Sequence, residues 1–441
     1  MKSSPSVRML SGLMTGSVVA AGALIATAAP ANAAGSVIEV ATTGNDANSG
    51  AAGKPLKTVQ AAIDKAMPGD TIKIHKGTYN QQLKIRKSGT ASAPITVTNA
   101  GDGAVTLTAA LPMPSCGTNQ PDGQRTILII DGSDYWTFQG LTIDGGVYAT
   151  GSDAGSAFSW HSALVDKGDW QTRRKVPGAG SFNPTAAKQV IPYLRTATKD
   201  PDLDSSDGLK FIGNTVKRKG LFFRLSSYGV ASGNKISDIA CGTGPGIWLI
   251  TFSNGWQVTK NDVSKIAAST WKHFMQEGIR LGTSSNYNKV TNNYVHDLPG
   301  DGRAFNTDVD SSWNTFSGNR AANVAIGYND QMSGWGNTWT KNSVTGFRTY
   351  GYGVRLMDGK LTLPSYDTSA NKISMTCNVA TKPVGKAKSF GVGGTMYGTY
   401  KGNAWTTAHV GKYVKSYWGK YGNTFNGKPT APPATFAPSS C

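Results

Sequence analysis

A six-residue pattern recurs along the second half of the chain and limits what it can fold into. The pattern is an apolar residue, two variable residues, an asparagine, a variable residue and a second apolar residue. Its copies centre on Asn214, Asn234, Asn261, Asn293, Asn319, Asn342 and, more loosely, Asn378. The spacing averages roughly 27 residues, which predicts stacked repeats of a solenoid rather than one globular core.

Each copy has the composition of a short strand, a turn at the asparagine and a second short strand. Asparagine tolerates the left-handed backbone of such a turn, and stacked copies can align their side chains in a hydrogen-bonded ladder. A further apolar strand follows most copies, as in "GIWLITFSN" and "GIRLGTSSN". We therefore predict an all-β fold, a right-handed parallel β-helix, with the Asn-rich rungs over residues 209–398.

The remaining segments are assigned around these rungs. Residues 56–67 have one apolar face and predict a short helix, which we interpret as capping the solenoid within the N-terminal cap and first rungs, residues 36–85. The β-helix domain is expected to cover residues 34–398, and a C-terminal cap and tail residues 399–441. Residues 147–208 contain no copy of the repeat and predict a loop insertion with a short helix near residues 185–197.

The first residues predict a secretory signal peptide. Lys2 and Arg8 precede an apolar run over residues 9–29, and an A-x-A cleavage motif at Ala31 and Ala33 follows it. We therefore expect residues 1–33 to be removed and the protein to be secreted and extracellular. Four cysteines remain, an even number that favours two disulfides in an exported protein. Three pairings are open; we expect Cys377 with Cys441, and therefore Cys116 with Cys241.

The net charge of +18 predicts an anionic partner. Because export is expected, we favour an acidic polysaccharide over nucleic acid, with no membrane partner and a monomeric protein. In the insertion, Arg173 and Arg174 are candidates for binding such a chain, since arginine pairs bidentately with carboxylate.

Two stretches resemble a known group of proteins. Residues 41–85, with "GNDANSG", "PGD" and "GTY", and residues 136–145, "WTFQGLTIDG", are similar to secreted bacterial β-helix proteins of the pectate-lyase-like superfamily. The resemblance implies the same fold and a carbohydrate-active protein. It leaves open a polysaccharide lyase acting on a uronate polymer by β-elimination, an inverting glycoside hydrolase, and a non-catalytic binder of cell walls or polysaccharides.

The candidate site lies on the outward side chains of the strands that follow the repeats. Aligning their apolar residues predicts one outward column of Trp248, Arg280, Ala304, Ala325 and Arg355, and a second of Ile250, Gly282, Asn306, Gly327 and Met357. Small residues beside polar ones predict a shallow groove. Trp248, Asn306 and Arg355 are the substrate-binding candidates.

Charged residues near this groove suggest the chemistry. Glu277, Asp308, Asp310 and Asp330 are candidate ligands of Ca²⁺, which prefers clustered oxygens. Lys272, His273 and Tyr328 are candidate bases, whereas Arg280 and Arg303 suit the neutralisation of a substrate carboxylate. A lysine that lyases of the superfamily would place near position 282 is replaced by Gly282. For a hydrolase, Asp308 would act with Asp330 or Glu277.

Overall fold

Short parallel strands stack in register in successive coils of the chain. The computed structural model describes residues 35–112, 124–268, 276–331, 334–355, 372–392, 398–405, 408–410, 418–419, 423–431 and 441. Within these residues the strands lie along three lines, and the first line is a thirteen-stranded sheet. Its strands are Val37–Val40, Thr71–Ile74, Ile95–Asn99, Trp136–Gln139, Lys210–Ile212, Val230–Ser232, Gln257–Thr259, Lys289–Thr291, Thr315–Ser317, Thr338–Thr340, Ile373–Thr376, Gly398–Lys401 and Thr424–Phe425.

The second and third lines join into one parallel sheet. The second line contains Gly77–Asn80, Val105–Thr108, Thr142–Asp144, Thr215–Arg218, Lys235–Ile239, Asp262–Ser264, Tyr294–His296 and Val379–Thr381. The third line contains Leu83–Ile85, Ile127–Ile129, Val147–Thr150, Leu221–Arg224, Ile247–Ile250, Glu277–Gly282, Arg303–Thr307, Lys388–Val392 and Ala408–Val410. Two long strands, Arg320–Gln331 and Ser343–Arg355, belong to both lines. A separate short pair joins Ser206–Asp207 to Ser226–Ser227.

The core lies inside the coils because alternate residues of each strand point inward. Ile247 and Leu249 are fully buried and stack on Ile279 and Leu281 of the next coil. Trp248, between the first two, points outward. Repetition of this stacking from coil to coil confirms the predicted all-β parallel β-helix.

A ladder of buried asparagines runs along the coils, as the sequence predicts. Asn293 donates from Nδ2 to Oδ1 of Asn319 over 3.0 Å, and Asn319 donates in the same way to Asn342. The ladder continues one rung beyond the predicted copies, to Asn403. Its members are Asn214, Asn234, Asn261, Asn293, Asn319, Asn342, Asn378 and Asn403.

Replacing Asn319 by alanine is expected to lower the free energy of unfolding by about 2 kcal/mol, because it leaves buried backbone and amide groups without partners. The side chain accepts from the backbone N–H of Asn293 and donates to the carbonyl of Val290. Urea denaturation measures the loss. The matched control is exposed Asn80, whose alanine variant should stay within about 0.5 kcal/mol of the parent; equal losses would contradict a role for the ladder.

A short helix, α1 (Val59–Lys65), packs on the first strands. The Thr58 side chain accepts from the N–H of Ala61 and caps its first turn. Val59, Ala62 and Ile63 are its buried residues. The helix is shorter than the predicted 56–67 because Leu56 pairs with Val40 as an isolated bridge, so the chain is still extended there.

The insertion differs from its prediction in both its start and its content. Residues 147–150, assigned to it from the sequence, form a strand of the third line. Beyond them lie α2 (Ala154–Asp166), α3 (Trp170–Arg174), a 3₁₀ segment (Ala186–Gln189) and α4 (Val190–Thr198). Leu194 of α4 packs with Leu203, Leu225 and Phe252 in a small separate core. The insertion is therefore a folded helical unit rather than a loop with one helix.

Two further predictions concern the chain ends and the cysteines. Cys377 and Cys441 form a disulfide, as predicted. Cys241 is also disulfide-bonded, but its expected partner Cys116 and the predicted signal peptide lie outside the described residues. Within the described ranges, every helix is too short or too polar to cross a membrane.

Candidate functional site

One outward column of side chains follows the third line of strands. Residues that pair from one coil to the next form this column. From the N-terminal to the C-terminal coil it contains three aromatic side chains, an arginine and two asparagines. In order, these residues are Tyr148, Phe222, Trp248, Arg280, Asn306 and Asn329. Neighbouring strands are about 4.8 Å apart. Tyr148 and Trp248 are half-buried, whereas Phe222, Arg280, Asn306 and Asn329 are at most 7% exposed, so the column is most open at its aromatic end.

The aromatic half of the column is continuous. The ring of Phe222 stacks on Trp248 with centroids 4.4 Å apart, and Tyr148 contacts Phe222 edge-on at 5.1 Å. The guanidinium of Arg280 lies 5.2 Å from the indole centroid of Trp248, so the cation and the aromatic face are neighbours. A Cβ on Gly282 would lie 3.7 Å from Nε of Arg280, so the glycine leaves space beside both groups.

Arg280 is held between two carboxylates. Its NH1 lies 3.3 Å from Oε2 of Glu277, and its NH2 donates to Oδ2 of Asp308. Although burial disfavours its charge, Glu277 and Asp308 raise the pKa of Arg280, so it stays protonated. The two anchors fix the plane of the guanidinium.

The neighbouring coils extend this buried polar cluster. NH1 of Arg303 lies 3.8 Å from Oε1 of Glu277, and Asn306 donates to the same oxygen over 3.4 Å. Asn329 in turn donates to Oδ1 of Asn306 over 2.6 Å and to Gln331 over 2.9 Å. Gln331 was not predicted. Its signal was its place two residues after Asn329 in "GYNDQ", at the end of a repeat strand.

Several buried polar atoms around the column have no hydrogen-bond partner among the described residues. They are Nε of Arg224, Nε1 of Trp248, Nε2 of Gln276, Nε of Arg303 and Oδ1 of Asp308. Buried polar atoms are nearly always paired, so a cluster of exceptions at one place indicates a site for a ligand. Arg224 and Gln276 were also missed by the sequence analysis.

The buried carboxyl group of Glu277 should make the stability of the protein depend on pH. Burial raises its pKa from the ordinary 4.5 to about 7, against the opposing effect of Arg280 and Arg303. The folded state keeps this proton where the unfolded chain releases it, so the free energy of unfolding should fall as pH rises between these two values. Replacing Glu277 by glutamine should remove up to about 1.4 kcal/mol per pH unit from this slope in urea denaturation. Parallel curves for the two proteins would contradict this assignment.

Two predicted site residues lie inside the core instead. Asp330 accepts from Trp339 Nε1 over 2.7 Å and from Thr307 Oγ1 over 3.0 Å, and it has no exposed surface. Tyr328 is equally buried and donates its hydroxyl to the carbonyl of Asn319. Burial raises the pKa of Tyr328 well above its ordinary value. Asp330 is therefore wrongly predicted as a metal ligand and Tyr328 as a base.

Asp310 and Arg173 form a buried ion pair that attaches the insertion to the solenoid. NH1 of Arg173 lies 3.0 and 2.9 Å from the two carboxylate oxygens, and His161 of α2 lies 2.9 Å from Oδ2. All three residues are at most 1% exposed. Arg173 is thus wrongly predicted to contact substrate, and Asp310 is wrongly predicted to bind a metal, because the two side chains pair with each other in the interior.

The remaining predicted residues are placed as follows. Arg174 packs its guanidinium against Trp170 and Trp335, at 5.5 and 5.7 Å from the ring centroids, which makes it part of the insertion's packing. Lys272 and His273 lie outside the described residues. The backbone of Arg355 ends its long strand beside Gln331.

The predicted outward columns are wrong beyond Gly282. Arg280 pairs with Asn306 and not with Ala304, and the next residue in the column is Asn329 and not Ala325. Gly353, and not Arg355, follows Asn329. The predicted positions differ from the observed ones by two, four and two residues, and because each difference is even, the alternation of inward and outward side chains is unchanged.

The four predicted calcium ligands do not meet. Asp330 points into the core, Asp310 pairs with Arg173, and the guanidinium of Arg280 lies between the other two carboxylates. Among the described residues, no group of three or more His, Cys, Asp or Glu side chains is arranged to hold a metal ion. This predicted set therefore does not fit Ca²⁺.

Comparison with known proteins places the fold. A protein-family model described as "Pel9A-like, right handed beta helix region" matches residues 38–165. Pectate lyase PEL9 of Emericella nidulans is 30% identical over 181 residues, which cover 39% of this chain and 42% of that protein. Uncharacterized protein YwoF of Bacillus subtilis is 37% identical over 91 residues, 21% of this chain and 19% of that protein. The chain thus matches less than half the length of either curated relative.

A solved structure extends the similarity to most of the described coils. The crystal structure of pectate lyase Pel9A superposes with a TM-score of 0.50 at 16% identity, covering 92% of this chain and 90% of that chain. At this identity the superposition bears on the fold alone. This chain is therefore a right-handed parallel β-helix, and its residues 38–165 match the Pel9A-like family model.

Proposed function

We propose that this protein is a secreted enzyme that cleaves a uronate-containing polysaccharide by β-elimination. The observation that carries the proposal is Arg280, which lies in the outward column beside Trp248 and is oriented by Glu277 and Asp308. Arginine pairs with the carboxylate of a uronate unit, and an indole face packs against a sugar ring. The pectate lyases among the similar proteins support a substrate of this class.

The proposed reaction removes the proton at C5 of a uronate unit, expels the oxygen at C4 and leaves a double bond between C4 and C5. Arg280 and Arg303 neutralise the neighbouring carboxylate and stabilise the negative charge that develops at C5. Lys272 and His273 remain the candidate bases, since they lie a few residues before Glu277 in the sequence. The proton lost from C5 goes to this base, and the departing oxygen gains one from an acid or from water.

The test is a panel of anionic and neutral polysaccharides, assayed for ultraviolet absorbance of unsaturated uronates and for new reducing ends. We expect the absorbance to rise with at least one uronate polymer. Parallel reactions with EDTA test whether a divalent cation, bound by residues other than the predicted set, takes part. Reducing ends without absorbance would replace β-elimination by hydrolysis, and silence on every polymer would favour the non-catalytic binder.

The hydrolase alternative loses its predicted residues. An inverting hydrolase needs two carboxyl groups that face the substrate from opposite sides, roughly 6.5–9.5 Å apart. Asp330 lies in the core, and Glu277 has no exposed surface beside Arg280. Neither predicted partner of Asp308 meets this condition, so the arrangement favours the lyase.

Secretion is the remaining part of the proposal. Lys2, Arg8 and the apolar run that follows them support an export signal. Expression of the full chain in a bacterial host, followed by N-terminal sequencing of the protein in the medium, should give a first residue at or near Ala34. An intact Met1 on an intracellular product would contradict it.

A further inference from the structure

A second column of residues lies on the turn that follows the third line of strands. Tyr135, Tyr228, Tyr287 and Trp313 occupy equivalent places in this turn, and all four have left-handed backbones with φ between 53° and 59°. Bulky residues rarely adopt this conformation, because the side chain then crowds the backbone. Glycines occupy the same place on three neighbouring coils, at Gly208, Gly255 and Gly336. The left-handed backbone is therefore a property of this turn position, and four coils place an aromatic ring there.

Each of three rings covers the glycine of the next coil. A Cβ on Gly208 would lie 2.4 Å from the ring of Tyr135, and one on Gly255 would lie 2.8 Å from the ring of Tyr228. Trp313 covers Gly336 in the same way. The glycines thus fix the orientation of the rings, since any larger side chain would displace them.

The insertion covers one part of this aromatic column and leaves another part open. Tyr287 donates its hydroxyl to the carbonyl of Ser181 over 3.1 Å, and Trp313 donates from Nε1 to the carbonyl of Ala179 over 3.0 Å. Tyr135 and Tyr228 instead line a cavity of about 480 Å³ between the solenoid turn and α4. Tyr228 is 41% exposed.

The rest of the cavity lining is mainly polar on the solenoid side, where Phe252 is the exception, and mainly apolar on the side of the insertion, where Lys188 is the exception. Asp207, Ser227 and Asn254 line it from three successive coils, and Ile191 faces them from α4. Oδ1 of Asp207 accepts from the N–H of Ser227 over 3.2 Å, and Oδ1 of Asn254 accepts from the N–H of Asn286 over 2.7 Å. These hydrogen bonds between coils hold both side chains in place. Asn254 can then donate to a ligand through Nδ2, because its Oδ1 already accepts from Asn286.

We propose that this cavity is a second saccharide site, which takes an uncharged sugar unit. Aromatic rings at Tyr135 and Tyr228 suit the apolar face of a sugar, whereas Asp207, Ser227 and Asn254 suit its hydroxyl groups. The carboxylates of Asp207 and nearby Asp134 repel an anionic ligand. This site therefore selects uncharged sugars, whereas the Arg280 column is proposed to bind anionic ones. Because the two sites use different residues, the proposal does not depend on the proposed lyase activity.

The carboxyl groups at this site titrate close to neutral pH, which adds a second test. Burial raises the pKa of Asp207, and likewise that of Asp134, to about 6. Exclusion of a uronate should therefore be strongest above this pH, where both groups are ionised. The charge of Asp204 raises the pKa of both groups further, and Lys188 is the basic residue that lines the cavity from the insertion.

The experiment is saturation-transfer NMR on the full chain with methyl glycosides of neutral sugars and, beside them, the methyl glycoside of galacturonic acid. We expect transfer to at least one neutral glycoside, and we expect added galacturonoside not to reduce this transfer at pH 7. Any transfer to the galacturonoside itself would come from the Arg280 column and should be unchanged in Tyr228→Gly. Replacing Tyr228 by glycine should weaken the neutral glycoside at least about tenfold. This variant is expected to fold, because glycine already occupies the same turn position in adjacent coils.

Two further variants separate binding from structure. Tyr228→Phe keeps the ring and should keep the affinity, while Tyr294→Ala removes a tyrosine ring from a different line of strands and should leave it unchanged. Absence of transfer to every neutral glycoside would overturn the proposal. So would equal affinity in the parent and in Tyr228→Gly.

Discussion

Replacing Arg280 by lysine is expected to lower kcat/KM on a uronate polymer about a hundredfold, although the positive charge is kept. The guanidinium of Arg280 contacts Glu277 and Asp308 with separate nitrogens and lies beside Trp248. A lysine ammonium is a single point of charge, so it cannot keep both anchors and also present a planar fork to a carboxylate. The measurement is initial rate against polymer concentration, followed by ultraviolet absorbance.

The control for this variant is an arginine on a neighbouring line of strands. Arg320 is exposed and packs over Tyr294 with its guanidinium 4.6 Å from the ring centroid. Arg320→Lys should leave kcat/KM unchanged, because the side chain lies away from the outward column. Equal losses in both variants would mean that the effect is one of overall charge, and the clamp assigned to Arg280 would then be wrong.

Replacing Arg173 by methionine is expected to lower the free energy of unfolding by about 3–5 kcal/mol, because it leaves the buried Asp310 carboxylate without its cation. Both side chains are at most 1% exposed, and the pair joins α3 to a turn of the solenoid. Denaturation in urea measures the loss. Changing Asp310 to asparagine in the same chain should recover part of it, since the uncompensated charge is then gone.

An exposed pair provides the comparison. Arg86 and Asp131 also lie 3.1 Å apart, but their side chains are 61% and 66% exposed. Arg86→Met should therefore cost less than about 1 kcal/mol. If the two methionine variants lost the same stability, the Arg173–Asp310 pair would not be the attachment described above.

The asparagine ladder is the part of the structure that the sequence predicts best. Asn319 and its equivalents repeat because each one must satisfy the backbone of the coil before it, and this local demand leaves a fixed pattern in the sequence. A second ladder of the same kind, Asn288, Asn314 and Asn337, was not predicted. It has only these three rungs in the described chain, too few for the repeat to be evident.

The site was predicted less well because its register depends on distant contacts. Alternation along a strand cannot distinguish registers that differ by an even number of residues. Phe305 and Tyr328, rather than small aliphatic residues, fill the core positions that follow Ile279, and their rings stack 5.0 Å apart. Asp330 was assigned to the surface because nothing near it in sequence reveals that Trp339 and Thr307 surround it.

The aromatic turn column had a signal that was not used. The turns "SSYGV", "SNGWQ", "SNYNK" and "SWNTF" place a tyrosine, a tryptophan or a glycine after a serine or an asparagine at one fixed distance from the next strand. Alternation of ring and glycine at this place could be found by aligning the turns rather than the strands. The insertion could not be treated in this way, since its helices have no copy elsewhere in the chain.

The attachment of the insertion has a consequence for the order in which the molecule assembles. The insertion leaves the solenoid after Val147–Thr150, yet it docks onto Tyr287, Asp310 and Trp313, which lie several coils further along and are made later. A plain solenoid can grow coil by coil, because each coil needs only its neighbour. Here the helices of the insertion can dock only after the later coils that they contact have formed. Once docked, the insertion connects coils that are not neighbours. The middle of the solenoid should therefore unfold as one cooperative unit rather than one coil at a time.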